Sequence, residues 1–404
     1  MIEITQKTNC CGCQACANIC PRNCISMQAD EEGFLYPHVD KKVCVDCGLC
    51  EKVCPILNKP QTYPVLATYA AKHKGEEIKL KSSSGGMFSA LAEVVLKEGG
   101  VVFGASFDKD WNVVHAYVDN LKNLDNLRRS KYVQSDIGKT YQQAKQFLEQ
   151  GRAVLFTGTP CQIAGLRNYL GKEYEHLLTA DLFCHGVPSP GIWGKFLTEN
   201  FDRKDINAIF FRYKRLGWNK CYLSFQLPDG MHAHSKKRSY FERLYFKFKV
   251  PVGRTIFFYN TFFRAFLREL INRPSCHACY FKGYKSADFS MGDLWGEWPE
   301  IITKQDKSFG ISALTVNTRK AQKVLEHLNA SFQTIDFDRV AKCNKPVRMS
   351  TKPHPKREEF FARYKTENFN KLVRELLDIK PIWIQIPVKI FKKITYKLHL
   401  TGMK

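Results

Sequence analysis

The run Cys10-Cys11-Gly12-Cys13-Gln14-Ala15-Cys16-Ala17-Asn18-Ile19-Cys20-Pro21 returns later as Cys44-Val45-Asp46-Cys47-Gly48-Leu49-Cys50-Glu51-Lys52-Val53-Cys54-Pro55. Both read Cys-x2-Cys-x2-Cys-x3-Cys-Pro, so the segment is a repeat of one short unit. Three thiolates at steps of three residues wrap a tight loop around three corners of an iron–sulfur cube. The fourth, at the start of a short helix, points away and reaches the partner cube. The spacing therefore predicts one 4Fe–4S cluster on Cys10, Cys13, Cys16 and Cys54, and a second on Cys44, Cys47, Cys50 and Cys20. Zinc would use two Cys-x2-Cys pairs and leave the third and fourth cysteine of each run without a role. Cys11 and Cys24 are surplus to both sets and read as small buried hydrophobes. Between the runs, residues 30–37 read as a turn followed by a short strand.

Working outward, the chain has 404 residues, enough for two or three domains at about 150 residues each. Its 44% apolar and 25% charged residues exclude a wholly disordered chain. Ten of its sixteen cysteines lie between Cys10 and Cys54. No apolar run has the roughly 18 residues of a membrane span, and the opening Met1–Thr8 lacks the apolar stretch of a secretory signal. The expectation is a cytoplasmic protein, in which structural disulfides are a poor account of so many thiols. Residues 1–60 resemble a bacterial-type dicluster ferredoxin, an α+β domain.

After a Pro-containing linker the pattern changes to alternating strands and helices. Strands are expected at residues 65–71, 101–107, 113–118, 153–157 and 178–183, with helices at 87–97 and 140–150 and another opening at Pro160. Such interleaving predicts an α/β fold. The predicted body spans 66–345, with an irregular, aromatic-rich second half from about residue 205, followed by a basic tail, 346–404.

Two loop-to-helix junctions carry chemistry. Ser83-Ser84-Gly85-Gly86 precedes a helix, where backbone N–H groups and the helix dipole could hold a pyrophosphate. Gly158-Thr159-Pro160-Cys161 places a thiol near a helix N-terminus, where a thiolate is favoured. Together with Ser130-Lys131-Tyr132, Leu155–Gln162, Cys184-His185-Gly186 and Gly292-Asp293-Leu294-Trp295-Gly296, these runs resemble the family of coenzyme F420 hydrogenase and dehydrogenase beta subunits. The resemblance covers nearly the whole chain to about residue 320.

That resemblance implies a flavoprotein with FAD and iron–sulfur clusters that acts on a substrate at the flavin face. Ser83, Ser84, Gly85 and Gly86 would hold FAD phosphates. Valine at Gly85 and Gly86 would then block FAD without unfolding the protein. Lys131, Thr157, Gly158, Thr159 and Pro160 would lie along the flavin. Lys131 would stabilise its reduced form, and His185 would deliver a proton. The competing readings are a solvated Lys131 and a structural His185. Asp293 either caps a helix or touches the cofactor. A third 4Fe–4S cluster is expected on Cys161, Cys184, Cys276 and Cys279, since the first two follow successive strands that would open at one sheet edge if parallel. The alternative makes Cys161 a redox thiol, or Cys276 and Cys279 a dithiol pair. Cys221 and Cys343 read as core residues.

From Lys380 to Lys404 there are six lysines, no acidic residue and interleaved apolar side chains. This segment could lie on an anionic membrane face, dock a ferredoxin or another redox protein, or stay solvated. The formal charge of +23 permits nucleic acid, but no recognition motif supports it, so none is expected. The leading expectation is an FAD- and 4Fe–4S-dependent oxidoreductase with a ferredoxin-type donor. The alternatives are an electron-transfer protein without its own substrate, and a ferredoxin-linked disulfide reductase.

Overall fold

A computed structural model describes residues 1–214, 217–218, 221–227, 232–233, 260–283 and 285–379. The lysine-rich segment 380–404 lies outside the described residues.

The amino-terminal repeat folds around a two-stranded antiparallel hairpin, β1 (Ile25–Ala29) and β2 (Leu35–Val39), with short helices Ala15–Ile19 and Leu49–Lys52. The Asp30 carboxylate accepts from the Glu32 and Phe34 amides and tightens the hairpin turn.

The body is built on eight strands: β3 (Ala67–His73), β4 (Val101–Phe107), β5 (Val113–Val118), β6 (Val154–Gly158), β7 (Leu177–Leu182), β11 (Phe289–Asp293), β12 (Ser312–Val316) and β13 (Ala330–Thr334). Their order is β13-β3-β12-β11-β7-β6-β4-β5. The central four, β11-β7-β6-β4, are parallel, and the flanking strands pair antiparallel. Successive side chains of a strand face opposite sides, so a strand buried on both reads as a continuous apolar run. Val154 and Phe156 enter one hydrophobic core while Leu155 enters the other. A smaller antiparallel sheet, β10-β9-β8, consists of β8 (Ala208–Tyr213), β9 (Tyr222–Gln226) and β10 (His232–Ala233).

The helix Pro160–Leu170 starts where the sequence places it. The Gln162 side chain accepts from the Thr159 amide at 2.9 Å, proline occupies the first turn, and Gly171 at φ +67° ends it.

The aromatic second half forms its own core around Trp193, Phe196, Phe211, Phe225, Phe262 and Phe263. Helices Arg357–Arg363 and Phe369–Leu376 close it with Phe360, Phe369, Leu372 and Leu376. The expected tail boundary at 346 is therefore corrected. Apolar spacing at 369, 372, 373 and 376 is that of an amphipathic helix, and this helix belongs to the body.

Candidate functional site

The two cysteine runs share a backbone conformation as well as a spacing. Gly12 and Gln14 have φ of +69° and 63°; the equivalent Asp46 and Gly48 have 49° and +72°. Left-handed residues at these two places bend each loop inward. Cys20, Cys44, Cys47 and Cys50 line one cavity, together with Cys24. In the other set, Cys16 is pushed up to about 12 by burial and then by Cys10 and Cys54. Burial and the Cys10 thiol likewise raise Cys54. Buried thiols that repel one another's anionic forms are a poor resting place for four negative charges. They suit a cationic iron centre, which replaces the protons. Amides already aim at the sulfurs: Ile2 N–H donates to Cys50 Sγ at 3.2 Å and Asp46 N–H to Cys44 Sγ at 3.4 Å. The donor set fits two cubes paired crosswise.

The two sets differ in surroundings. Cys47 is exposed, beside exposed Lys41, Lys42, Val43 and Val45. The set of Cys10, Cys13, Cys16 and Cys54 faces the body: a Cβ at Gly165 would lie 3.0 Å from Cys13 Sγ. We call these the outer and inner sets. Asn18 and Gln142 fasten the inner side through Asn18 Nδ2 to Gly138 O at 2.8 Å and Gln142 Nε2 to Asn18 O at 2.8 Å.

In the body, Cys161 lies in the first turn after β6 and Cys184 just after β7, and these strands are adjacent and parallel. Their loops open at one edge of the sheet. Helix Pro274–His277 and the residues after it bring Cys276 and Cys279 to the same cavity, whose walls include Pro160, Lys282 and Lys285. Burial, then Lys282, Cys161 and Cys279, leave the Cys184 thiol at about 12. The four body cysteines that the sequence singles out thus meet, and their donor set fits a third cube. Among the described residues no three His, Cys, Asp or Glu side chains converge on a single metal ion. A cube takes its thiolates at separate corners.

Spacing alone did not reveal the neighbours of the surplus cysteines. Cys11 is buried but lines the body cavity next to Cys161. Cys24 is buried with its Sγ 3.3 Å from that of Cys20. Cys221 is a core residue that accepts from Arg212 Nε at 3.2 Å. Cys343, expected in the core, is instead exposed against Gly296, because its helix Phe337–Cys343 covers the sheet with Val340 and Ala341.

The serine–glycine loop corrects its sequence reading. A Cβ on Gly85 would lie 2.5 Å from Ala71 O and 2.7 Å from Ser312 N. Its glycine is required by close packing on β3 and β12. Ser84 Oγ donates to Ile311 O at 2.8 Å, and Ser83 Oγ accepts from Ser130 N–H at 2.8 Å. These groups are committed to the protein, so the loop does not form the open phosphate cradle that FAD would need. The contact to Ser130 does bring Lys131 beside the loop. Lys131 Nζ donates to Asn126 O at 3.0 Å and Arg128 O at 2.9 Å, and burial with nearby Arg129 lowers it to about 7. Lys214, which the sequence did not flag, donates to Ser84 O at 2.8 Å, Lys79 O at 3.0 Å and Phe309 O at 2.5 Å, a full set for its ammonium, and is also lowered to about 7, by burial and Arg212. Among the described residues neither lysine has a carboxylate partner within ion-pair range.

Thr157 and Gly158 end β6. Thr157 O lies 3.0 Å from His115 Nε2, and burial lowers His115 to about 4. Cys184, Gly186 and Val187 line the cysteine cavity, but His185 does not. It turns to Glu269, with Nε2 2.5 Å from Oε1 and the ring edge-on to Phe266. Asp293 pairs with Arg212 and accepts from Trp218 Nε1 at 2.9 Å. Asp181, on β7, is fully buried and raised to about 6 by desolvation. The sequence reading gave Lys214 and Asp181 no role, because only the fold buries them.

Residues 151–339 match the family described as the C terminus of the coenzyme F420 hydrogenase/dehydrogenase beta subunit, and residues 9–57 match the 4Fe-4S dicluster domain. Among curated proteins, the chain is 25% identical over 221 residues to the coenzyme F420-dependent sulfite reductase of Methanocaldococcus jannaschii, covering 52% of this chain and 34% of that protein. It is 20% identical over 177 residues to the F subunit of the F(420)H(2) dehydrogenase of Methanosarcina mazei, covering 41% of this chain and 49% of that one. The chain thus spans between a third and a half of the length of these relatives. Over 42 residues it is 43% identical to the 7Fe ferredoxin of Hydrogenibacillus schlegelii, 10% of this chain and 47% of that protein. A chain in the F420-reducing [NiFe] hydrogenase complex from Methanosarcina barkeri aligns with TM-score 0.43 and 17% identity, over 78% of this chain and 94% of its own. The chain thus carries a 4Fe-4S dicluster domain followed by a region similar to the C terminus of coenzyme F420 hydrogenase/dehydrogenase beta subunits.

Proposed function

In a chain that joins a 4Fe-4S dicluster domain to a domain of the family of coenzyme F420 hydrogenase/dehydrogenase beta subunits, we propose a relay of three cubes serving a two-electron cofactor. The observation that carries it is the meeting of Cys161, Cys184, Cys276 and Cys279 in one cavity of the body, beside Cys11 of the dicluster domain. Clusters, when bound, supply one-electron transfer at spaced stations. The outer set, with exposed Cys47 and the lysines beside it, takes electrons from or gives them to an acidic redox protein of the ferredoxin kind.

For the two-electron cofactor, the deazaflavin coenzyme F420 is the reading we favour. The two relatives are named for it, and Lys131, a cation without a carboxylate partner in range, suits an anionic ligand. FAD, expected from the resemblance, loses its support in the Ser83–Gly86 loop and is not carried further.

The test is anaerobic purification of the full chain. Three cubes correspond to about twelve irons per chain. Exchanging Cys161 and Cys276 together for serine should leave about eight. An unchanged iron content in that variant would remove the third cluster and promote the dithiol reading. Titration with coenzyme F420, followed by its fluorescence, tests the cofactor. Absence of binding, with flavin released by acid, would reverse our choice.

A further inference from the structure

Arg273 is fully buried at the junction of the two cysteine regions. Its Nε donates to Cys10 O at 2.8 Å, Nη1 to Gln134 Oε1 at 2.9 Å and Nη2 to Leu35 O at 3.1 Å. Nη2 also reaches Cys10 Sγ at 3.5 Å. The guanidinium lies 4.2 Å from the centre of the Tyr36 ring. The main chain turns the other way. Arg273 N–H donates to Val187 O at 3.0 Å, in the loop that follows Cys184, and its carbonyl accepts from Cys276 N–H at 2.9 Å. One residue therefore touches the inner set with its side chain and both body cysteine loops with its backbone.

The cysteine run is shaped to this guanidinium. A Cβ at Gly12 would lie 2.8 Å from Arg273 Nη1 and 2.5 Å from Gln134 Nε2. Among the described residues no carboxylate stands within ion-pair range of Arg273. A buried cation is costly unless an anion is near. The thiolate-forming groups that act on it are Cys10, Cys11 and Cys276. Among the described residues the outer set has no equivalent. The Met1 ammonium beside it is neutralised by Asp46 at 2.8 Å and Glu51 at 3.4 Å, and Arg22 is exposed to screening solvent.

We propose that Arg273 is the positioning residue of the relay, holding the inner cluster at a higher reduction potential than the outer one and so drawing electrons toward the body. This rests on the cluster reading above. Reduction adds one electron to a cube, and no proton transfer is required. A fixed cation and an N–H···S contact in a low-dielectric site both favour the more negative, reduced state.

The test is a redox titration followed by electron paramagnetic resonance on the full, iron-loaded chain, with Cys47→Ser marking the outer cluster's signal and Cys161→Ser combined with Cys276→Ser marking that of the body cluster, so that the inner and outer midpoints can be compared. In the unaltered protein the inner cluster should be reduced first. In Arg273→Gln, at a fixed potential, the inner cluster's reduced-to-oxidised ratio should fall at least tenfold while the outer one is unchanged. Arg273→Lys should restore most of the shift. Equal midpoints in the unaltered protein would overturn the proposal even if Arg273→Gln does not fold, as would an iron-replete Arg273→Gln with both midpoints intact. Absence of iron from the unaltered chain is a different failure, which overturns the cluster reading itself.

Discussion

Arg357 grips Glu32 with two parallel hydrogen bonds, Nη1 to Oε1 at 2.8 Å and Nη2 to Oε2 at 2.6 Å, across 325 residues of sequence. The pair clamps the hairpin turn of the dicluster domain to a helix near the end of the described chain. Arg357 also donates to Asn272 O at 2.8 Å, next to Arg273, and Tyr364 donates to Glu31 O at 2.7 Å. Both carboxylate and guanidinium are largely buried, so removing one partner strands the other.

Arg357→Ala should therefore cost about 3 kcal/mol, within the range for breaking a buried pair. A lowered denaturant midpoint and faster proteolysis near residues 58–66 would show it. The double variant Glu32→Gln with Arg357→Met should lose less than the sum of the two singles. Full additivity would mean that the pair does not act as a clamp.

Gly85→Val should destabilise the body by about 3 kcal/mol through overpacking against Ala71 and Ser312. The readout is the unfolding midpoint of cofactor-free protein. A variant of unaltered stability that has lost its cofactor would restore the phosphate-cradle reading.

Asp181 gives a pH-dependent term. Folding raises its carboxyl from 3.8 to about 6. The folded state thus binds the proton more tightly, and this contribution is full below about pH 4 and lost as pH rises through 6. At neutral pH the buried carboxylate costs about 3 kcal/mol. Asp181→Asn should stabilise the protein by that order at pH 7.5 and by little at pH 4, flattening stability between the two. Equal effects at both pH values would refute the assignment.

Lys131, near 7, should make binding of an anionic coenzyme pH-dependent. It loses its charge as pH rises through 7, so binding should weaken between pH 6 and pH 8, by about tenfold if this charge contact governs it. Lys131→Arg keeps its charge and should reduce the dependence. Fluorescence titration of coenzyme F420 at the two pH values is the measurement, and equal affinities would count against a site at this lysine.

The sequence by itself determined the dicluster domain, because cube ligation demands a local spacing that can be read off one short run and then found again. It also determined much of the first half of the body. The helix Met87–Lys97 and the strands at 101–107 and 113–118 fall where continuous apolar runs and turn residues put them. Parallel pairing of β6 and β7, on which the meeting of Cys161 and Cys184 depends, could be stated only as a condition, since strand direction within a sheet leaves no local mark. What only the tertiary structure decided is the purpose of individual polar groups. Gly85 looked like a ligand-binding glycine until the backbones of β3 and β12 closed on it. Arg273 and Asp181 are ordinary charged residues in the sequence. Burial in the folded chain, with Cys10 beside the one and solvent stripped from the other, gives each its electrostatic weight. A motif records which atoms are available, whereas burial and proximity set what those atoms cost and what they attract.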